Sequence, residues 1–461
     1  AEYEVLNKII NDGVYNLVNE FHGEFHPDKI DRPEIKDLES RIYSFFRDNQ
    51  ITFHNWEMVG SQPKAIDRNI WKNSYDAKKI TFVLPSRNNL EFLKLAYKSI
   101  RNLKTRHQIL ILNDASTDGT HEWIEEQQDD DILVYHNPGP QRIGIVGMFD
   151  KGIEMARTDI IMAFHADMVA CEDFDENILK HLKPGTIVSA TRVEPPLHPN
   201  GPEKIIHNFG IEVDEFDFDT WYNTSKNLKQ NKTTEGIFAP WCMYREDFVS
   251  IGGHDELFAP QSKEDSDLFN RFVLNGYKII QSWDALVYHF TSRGSRFNKH
   301  SGGAAGVNSN EWIETTTKNG RNFIRKWGHF VKHDKLMKPI IPHKYDVEFK
   351  VTNCDLRAIE TLEPWCDRMT LGCSEEIIND YIEMEQPNTK FDLSKKFNTN
   401  ENSDIIVEFD ALRLNNQSFQ FIQNLSEIFD FNEFEIGQYE FDIFNIKVNR
   451  LKHYEDRLVK L

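Results

Sequence analysis

The chain has 461 residues, 39% hydrophobic and 28% charged, with 74 acidic against 54 basic side chains and a formal net charge of -20. That length suggests two domains with an extension, and an acidic balance without a dense Lys/Arg run argues against nucleic acid as a partner, since phosphates demand a basic stripe. The five cysteines, at 171, 242, 354, 366 and 373, form no CxxC pair, so reduced thiols are expected rather than a disulfide framework or a zinc site.

The first residues, Ala1-Glu-Tyr-Glu-Val-Leu6, lack the charged-then-apolar pattern of a secretory leader. No run approaches the roughly 18–20 apolar residues of a membrane helix, so the chain is expected to be cytoplasmic. Apolar spacing through Val5, Ile9, Ile10 and Val14, and then Ile42-Tyr-Ser-Phe-Phe46, predicts a mainly helical extension over 1–77. Its last part, Trp56 to Trp71, reads as irregular. A core domain over 78–335 follows, in which short apolar strands alternate with helical segments. The strands are Ile80–Leu84, Ile109–Leu112, Ile132–Tyr135, Ile160–Phe164, Thr186–Ala190 and Tyr277–Ile280. Leu90, Leu93, Tyr97 and Ile100 mark one amphipathic helix, His121–Glu126 a second and Val146–Ala156 a third. This alternation predicts an α/β fold with a mostly parallel sheet covered on both faces. The Ser-, Gly- and Asn-rich stretch 291–310 reads as a flexible loop. Residues 336–461 predict a smaller α/β domain of no evident role. Its expected strands are Val347–Val351, Asp404–Phe409 and Phe441–Val448, its helices lie near 355–365 and 375–384, and 389–403 is a polar linker.

The strand exits carry the chemistry. They are Pro85-Ser-Arg-Asn-Asn89, Asn113-Asp-Ala-Ser-Thr-Asp-Gly119 and His165-Ala-Asp-Met168. Ligands of open parallel sheets bind beyond the carboxyl ends of the strands, and carboxylates, amides and an Arg there suit a nucleotide with a metal ion. In this order the three segments resemble a family 2 glycosyltransferase of the GT-A type. Ile251-Gly-Gly-His-Asp-Glu256, Lys263-Glu-Asp-Ser-Asp-Leu-Phe-Asn-Arg271 and Val287-Tyr-His-Phe290 extend the likeness, which covers about 80–290. The resemblance implies a GT-A, Rossmann-like mixed sheet flanked by helices.

It also implies roles. Asp114 would accept a hydrogen bond from the nucleobase, as an acceptor-only carboxylate can; Pro85 and Arg87 would hold base, ribose or phosphate. His165-Ala166-Asp167 stands where the family has Asp-x-Asp. Asp167 would then bind Mn²⁺ or Mg²⁺, while His165 departs from the usual Asp and either ligates Mn²⁺ or contacts the sugar. His289 matches a late histidine that serves as a further metal or phosphate contact. Asp265 would be the general base, with Glu264 contacting the acceptor. Arg142 and Arg293 are candidates for the diphosphate, and Trp241 for stacking on a sugar. Each residue also has a plain structural reading: Asx turns for Asn113 to Asp118, dipole-favoured carboxylates at a helix start for Glu264 and Asp265, and core packing for Trp241 and His289. The expected function is an inverting, metal-dependent transfer of a hexosyl or N-acetylhexosaminyl group from a nucleotide-sugar, expected to be a UDP-sugar, to a hydroxyl acceptor such as a glycan. The alternatives are a non-catalytic nucleotide-sugar binding protein and, disfavoured by the missing Gly-rich loop, a sugar nucleotidyltransferase. Oligomerisation stays open, and sugar selectivity is expected in the loops between 192 and 260.

Overall fold

The computed structural model describes residues 20–23, 52–59, 62–66, 79–397, 403–432 and 434–455. Residues 1–78 and 79–461 form separate compact units. In the first, β1 (Glu20–Gly23) lies parallel to β2 (Thr52–Val59), which pairs antiparallel with β3 (Gln62–Ile66). The helices expected around Val5–Val14 and Ile42–Phe46 fall outside the described residues. The stretch from Trp56, expected to be irregular, instead carries strands. Across the β2–β3 pair Val59 is the partner of Gln62 and Asn55 of Ile66.

The second unit begins with alternating strands and helices. They are β4 (Ile80–Ser86), α1 (Leu90–Arg101), β5 (Gln108–Asp114), α2 (Thr120–Glu125), β6 (Ile132–Asn137), α3 (Gly144–Met155) and β7 (Ile160–Ala163). After β8 (Met168–Ala170) and α4 (Phe174–Leu179) come β9 (Thr186–Glu194), β10 (Ile205–Ile206), α5 (Phe218–Leu228), β11 (Thr233–Thr234), β12 (Trp241–Tyr244) and α6 (Arg245–Ser250). The series closes with α7 (Glu264–Leu274), β13 (Lys278–His289) and α8 (Asn310–Trp327). The sheet runs β11-β13-β9-β12-β7-β4-β5-β6. β7, β4, β5 and β6 are parallel neighbours, β12 is antiparallel to both β7 and β9, and β13 is parallel to β9. This is the mixed, mostly parallel sheet expected of a GT-A fold. Strands β4, β5 and β7 are buried along nearly their whole length, as continuous apolar runs must be when helices cover both faces.

A second sheet follows, ordered β15-β14-β16-β18-β17. Its strands are β14 (Val347–Thr352), β15 (Arg368–Gly372), β16 (Ile405–Asp410), β17 (Gly437–Phe441) and β18 (Phe444–Val448), and α9 (Leu356–Leu362), α10 (Glu375–Glu385), α11 (Leu393–Lys396), α12 (Asn416–Gln423) and α13 (Leu425–Phe431) surround it. The run Phe441–Val448, read as one strand, is the end of β17 and all of β18, split by a turn in which Asp442 has φ +52°. The polar stretch read as a linker contains α11, whose Lys396 reaches Glu363 at 2.6 Å.

Helix α8 joins the two halves. On one side Trp327 and Phe323 pack with Val146, Leu257 and Phe258, and Lys326 pairs with Asp255 and Asp267 at 2.7 Å each. On the other, Arg325 pairs with Glu363 (2.6 Å) and Glu385 (2.5 Å). Glu363 is fully buried; the cost of burying its charge is met by Arg325, Lys396 and the Tyr381 hydroxyl, which donates at 2.8 Å.

Candidate functional site

The sheet's carboxyl ends open onto a cavity of about 370 Å³. Pro85 and Arg87 reach it from β4, Asp114 from β5, His165, Ala166 and Asp167 from the end of β7, Arg192 from β9 and His289 from β13. Arg142, Ile145 and Met148 line it around the start of α3, and Glu264, Asp265 and Phe269 from α7. Ten of the twelve residues singled out in the sequence therefore share one cavity.

Asp114 is buried and heavily used. Oδ1 accepts from Asn137 Nδ2 (2.7 Å) and the Ile143 N–H (2.8 Å), and Oδ2 accepts from the Gly144 N–H (2.8 Å). An ionised carboxylate has about four acceptor positions, so roughly one remains. The same carboxylate fixes the entry to α3, where a side chain at Gly144 is impossible: φ is +88° and a Cβ would meet Pro260 at 2.3 Å. Nearby Arg142 pairs with Glu311 at 2.9 Å, and burial lowers its pKa. The Asx-turn expectation also holds locally: the Ser116 N–H donates to Asn113 Oδ1 at 3.1 Å and the Thr120 N–H to Asp118 Oδ1 at 3.2 Å. Asp118 Oδ2 accepts from the Leu90 N–H (2.9 Å), tying the β5 exit to the start of α1.

His165, Asp167 and His289 form a cluster whose ligand atoms lie within 4.8 Å of one another. Asp167 is 3% exposed. Burial pushes its carboxyl up, but the charge and hydrogen bond of His289, with His165 and the Arg293 N–H, outweigh that and hold it at about 2. The Arg293 N–H donates to Oδ2 at 2.6 Å. His289 sits between two carboxylates, Nδ1 at 2.7 Å from Glu194 Oε1 and Nε2 at 3.7 Å from Asp167. Burial lowers its pKa, yet Asp167 and Glu194 lift it to about 9; a divalent cation at this cluster would compete with that proton. Burial lowers the pKa of His165, which keeps a nitrogen lone pair free. A buried carboxylate beside two imidazoles is a set of groups able to hold a divalent cation.

On α7, Glu264 is buried and its Oε2 has no hydrogen-bond partner. Burial and the adjacent Asp265 push its carboxyl up to about 8. Asp265 is more open, and its charge is felt at His165. The helix is locked by residues of the same motif: Arg271, buried with Asp267, donates to Asp267 Oδ2 (2.8 Å) and to the Ile251 and Gly253 carbonyls (3.0 and 2.7 Å). The two sequence blocks therefore hold each other in place.

With this geometry in view, residues 81–251 match the profile described as glycosyl transferase family 2. The likeness to family 2 glycosyltransferases is thus carried by this stretch, less than half of the chain. No curated protein matches the chain. Among solved structures it is similar to GalNAc-T7 with UDP, GalNAc and Mn²⁺, at 11% identity and a TM-score of 0.39, over 54% of this chain and 50% of that one. It is similar also to the mannosyltransferase PcManGT from Pyrobaculum calidifontis in complex with GDP-Man and Mn²⁺, at 19% identity and a TM-score of 0.33, over 46% and 56%. A third is S. aureus TarS 1–349, at 11% identity and a TM-score of 0.34, over 47% and 61%. The matched regions span between half and about three-fifths of those proteins' length.

Two of the expected contacts are placed elsewhere. Trp241 is 1% exposed and stacks on Phe248 with ring centroids 6.0 Å apart. It is a core residue and does not line the cavity, because the first residue of β12 points into the layer between sheet and α6. Arg293 turns its guanidinium away, to the Ile211 carbonyl and to Glu212 (3.0 Å), and does not line the cavity; only its N–H reaches the cluster, at Asp167. Two residues were missed. Glu194 is fully buried, bonded to His289 and at 2.8 Å to Lys204, and these partners with Arg192 depress its carboxyl against the effect of burial. Arg192 lies 4.2 Å over the Phe238 ring. The signal for both was a strand end: β9 continues four residues beyond the expected Ala190, which brings Arg192 and Glu194 to the same edge as Asp114 and Asp167. Among the described residues no helix is long and apolar enough to cross a membrane.

Proposed function

We propose that the protein is an inverting, metal-dependent glycosyltransferase that moves a sugar from a nucleotide-diphosphate donor, a UDP-sugar in the first instance, to a hydroxyl acceptor. The observation that carries this reading is the convergence of Asp114, the His165–Asp167–His289 cluster and the Glu264–Asp265 pair on one cavity. Pro85, Arg87 and the remaining acceptor position of Asp114 take the nucleoside, and Arg142 and Arg87 supply guanidinium donors for the diphosphate. Asp167, His165 and His289 would hold Mn²⁺, which supplies charge neutralisation for the departing diphosphate.

Asp265 is the general base. It takes the proton from the acceptor hydroxyl as that oxygen bonds to the anomeric carbon. The carbon–oxygen bond to the diphosphate breaks on the opposite face, and its electron pair leaves with the diphosphate. Glu264, raised to about 8, stays protonated at neutral pH, so it presents a hydrogen-bond donor beside the base instead of a competing charge.

The test is nucleoside diphosphate release from a panel of UDP-, GDP- and dTDP-sugars with Mn²⁺ and with EDTA. Release from one donor, lost in EDTA, supports the reading and names the sugar. No binding of any donor in Mn²⁺ overturns it.

A further inference from the structure

One wall of the cavity comes from outside the matched region. Lys332 to Ile340 form a tight hairpin between α8 and β14. The Ile340 N–H donates to the Lys332 carbonyl at 3.0 Å, His333 bridges Pro339, and Asp334 Oδ1 accepts from the Leu336 and Lys338 N–H groups at 2.8 and 3.0 Å. Val331, Lys332, His333, Met337 and Pro339 line the cavity, next to Ile237, Phe238 and Ala239.

The hairpin is docked closely. The Ile237 N–H donates to the Met337 carbonyl at 3.3 Å, and Lys338 pairs with Glu235. Between these contacts lies Gly236. A Cβ there would sit 2.1 Å from the Leu336 carbonyl oxygen, so only glycine permits the observed approach. The far side is tied to the C-terminal sheet region, where Lys332 meets Glu427 at 2.5 Å. Lys332 is thereby neutralised. Ile237, Met337 and Pro339 give this wall an apolar side-chain face. Such a surface discriminates by shape, for which one added or missing methylene-sized group changes the rate roughly 10- to 200-fold.

We propose that the Lys332–Ile340 hairpin, set by Gly236, is the shape filter for the donor's sugar, separate from the groups that hold the nucleotide. The inference rests on the transferase reading above. It also gives the C-terminal region a role, since its helix α13 anchors one end of the filter through Glu427.

The experiment uses the full chain with two variants. Gly236→Ala displaces the hairpin. Met337→Gly removes a lining side chain at a position with φ +67°, where glycine is unstrained, so the variant folds. UDP affinity is measured by calorimetry in Mn²⁺, and kcat/KM is measured for UDP-glucose, UDP-galactose and their N-acetylhexosamine counterparts. The expected result is UDP affinity within twofold of wild type and a change of at least tenfold in the ratio between plain and N-acetylated donors. An unchanged ratio in both variants, with UDP bound and donors turned over, overturns the filter alone. UDP affinity falling in step with turnover overturns it too. A wild-type protein that neither binds UDP nor turns over any donor overturns the transferase reading and the filter together.

Discussion

Glu194→Gln separates a metal-positioning role from simple packing. The carboxylate has two buried partners: Oε1 faces His289 Nδ1 at 2.7 Å and Oε2 faces Lys204 Nζ at 2.8 Å. Glutamine has a single acceptor oxygen, and its amide NH₂ cannot accept. With the oxygen on His289, the NH₂ meets the Lys204 ammonium, whose side chain is 5% exposed. With the amide flipped, His289 loses the group that orients its ring. Breaking a buried pair outright costs about 3–5 kcal/mol; glutamine keeps one of the two bonds, so a loss of about 2–4 kcal/mol in unfolding free energy is expected. Removing the partner of a metal-ligating histidine lowers metal affinity about 10–100-fold, which is about 1.4–2.8 kcal/mol. Chemical denaturation reads the first quantity and Mn²⁺ calorimetry on the folded variant reads the second. A folded variant with Mn²⁺ affinity within twofold of wild type would refute the idea that Glu194 orients a ligand.

Asp265→Asn is expected to slow transfer by about 10²–10⁴ with UDP affinity within twofold, as measured by coupled UDP release and calorimetry; wild-type turnover would remove Asp265 as the base. Transfer should fall as pH rises through about 8, where Glu264 ionises and places a second negative charge beside Asp265. Glu264→Gln should carry activity above that pH, and an alkaline limb identical in wild type and variant would count against this account. Burial holds the His329 imidazole down at about 4 against an ordinary value of 6.5. Its neutral form therefore contributes stability fully present above 6.5 and lost as pH falls toward 4, by at most about 3 kcal/mol; His329→Phe should narrow the difference between melts at pH 7 and pH 5. Trp241→Phe should cost about 1–3 kcal/mol of stability and leave donor KM unaltered, whereas a raised KM with intact stability would restore the sugar-stacking role.

What was legible in the sequence followed local rules. Ile80–Leu84, Ile109–Leu112 and Ile160–Phe164 are apolar runs cut off by polar residues, and in a parallel sheet that boundary is itself the binding edge. Asp114 and Asp167 could thus be placed before any coordinates. Glu194 escaped because Thr191-Arg192 looks like an exit from the strand, yet β9 runs through it. Side chains at Thr191 and Glu194 are buried there by β13, a neighbour almost a hundred residues away. Trp241 failed in the opposite sense: its composition suited a sugar, but the direction of its side chain depends on its pairing with Ala163 and Ser189. Sequence spacing carries no information about that.

The hairpin lay furthest from view, because its position depends on a single missing atom. Nothing in Thr234-Glu-Gly-Ile237 distinguishes Gly236 from a loop glycine until the Leu336 carbonyl is seen where its Cβ would be. The selectivity expected between 192 and 260 is therefore only half of a surface whose other half arrives from 331–339. If so, the C-terminal region cannot be removed without altering the cavity. Severing its anchor by Glu427→Gln, at a residue that touches neither nucleotide nor metal, should shift donor ratios in the same direction as Gly236→Ala. Donor ratios that stay at wild-type values in Glu427→Gln would mean that the Lys332–Glu427 pair is not needed to hold the wall.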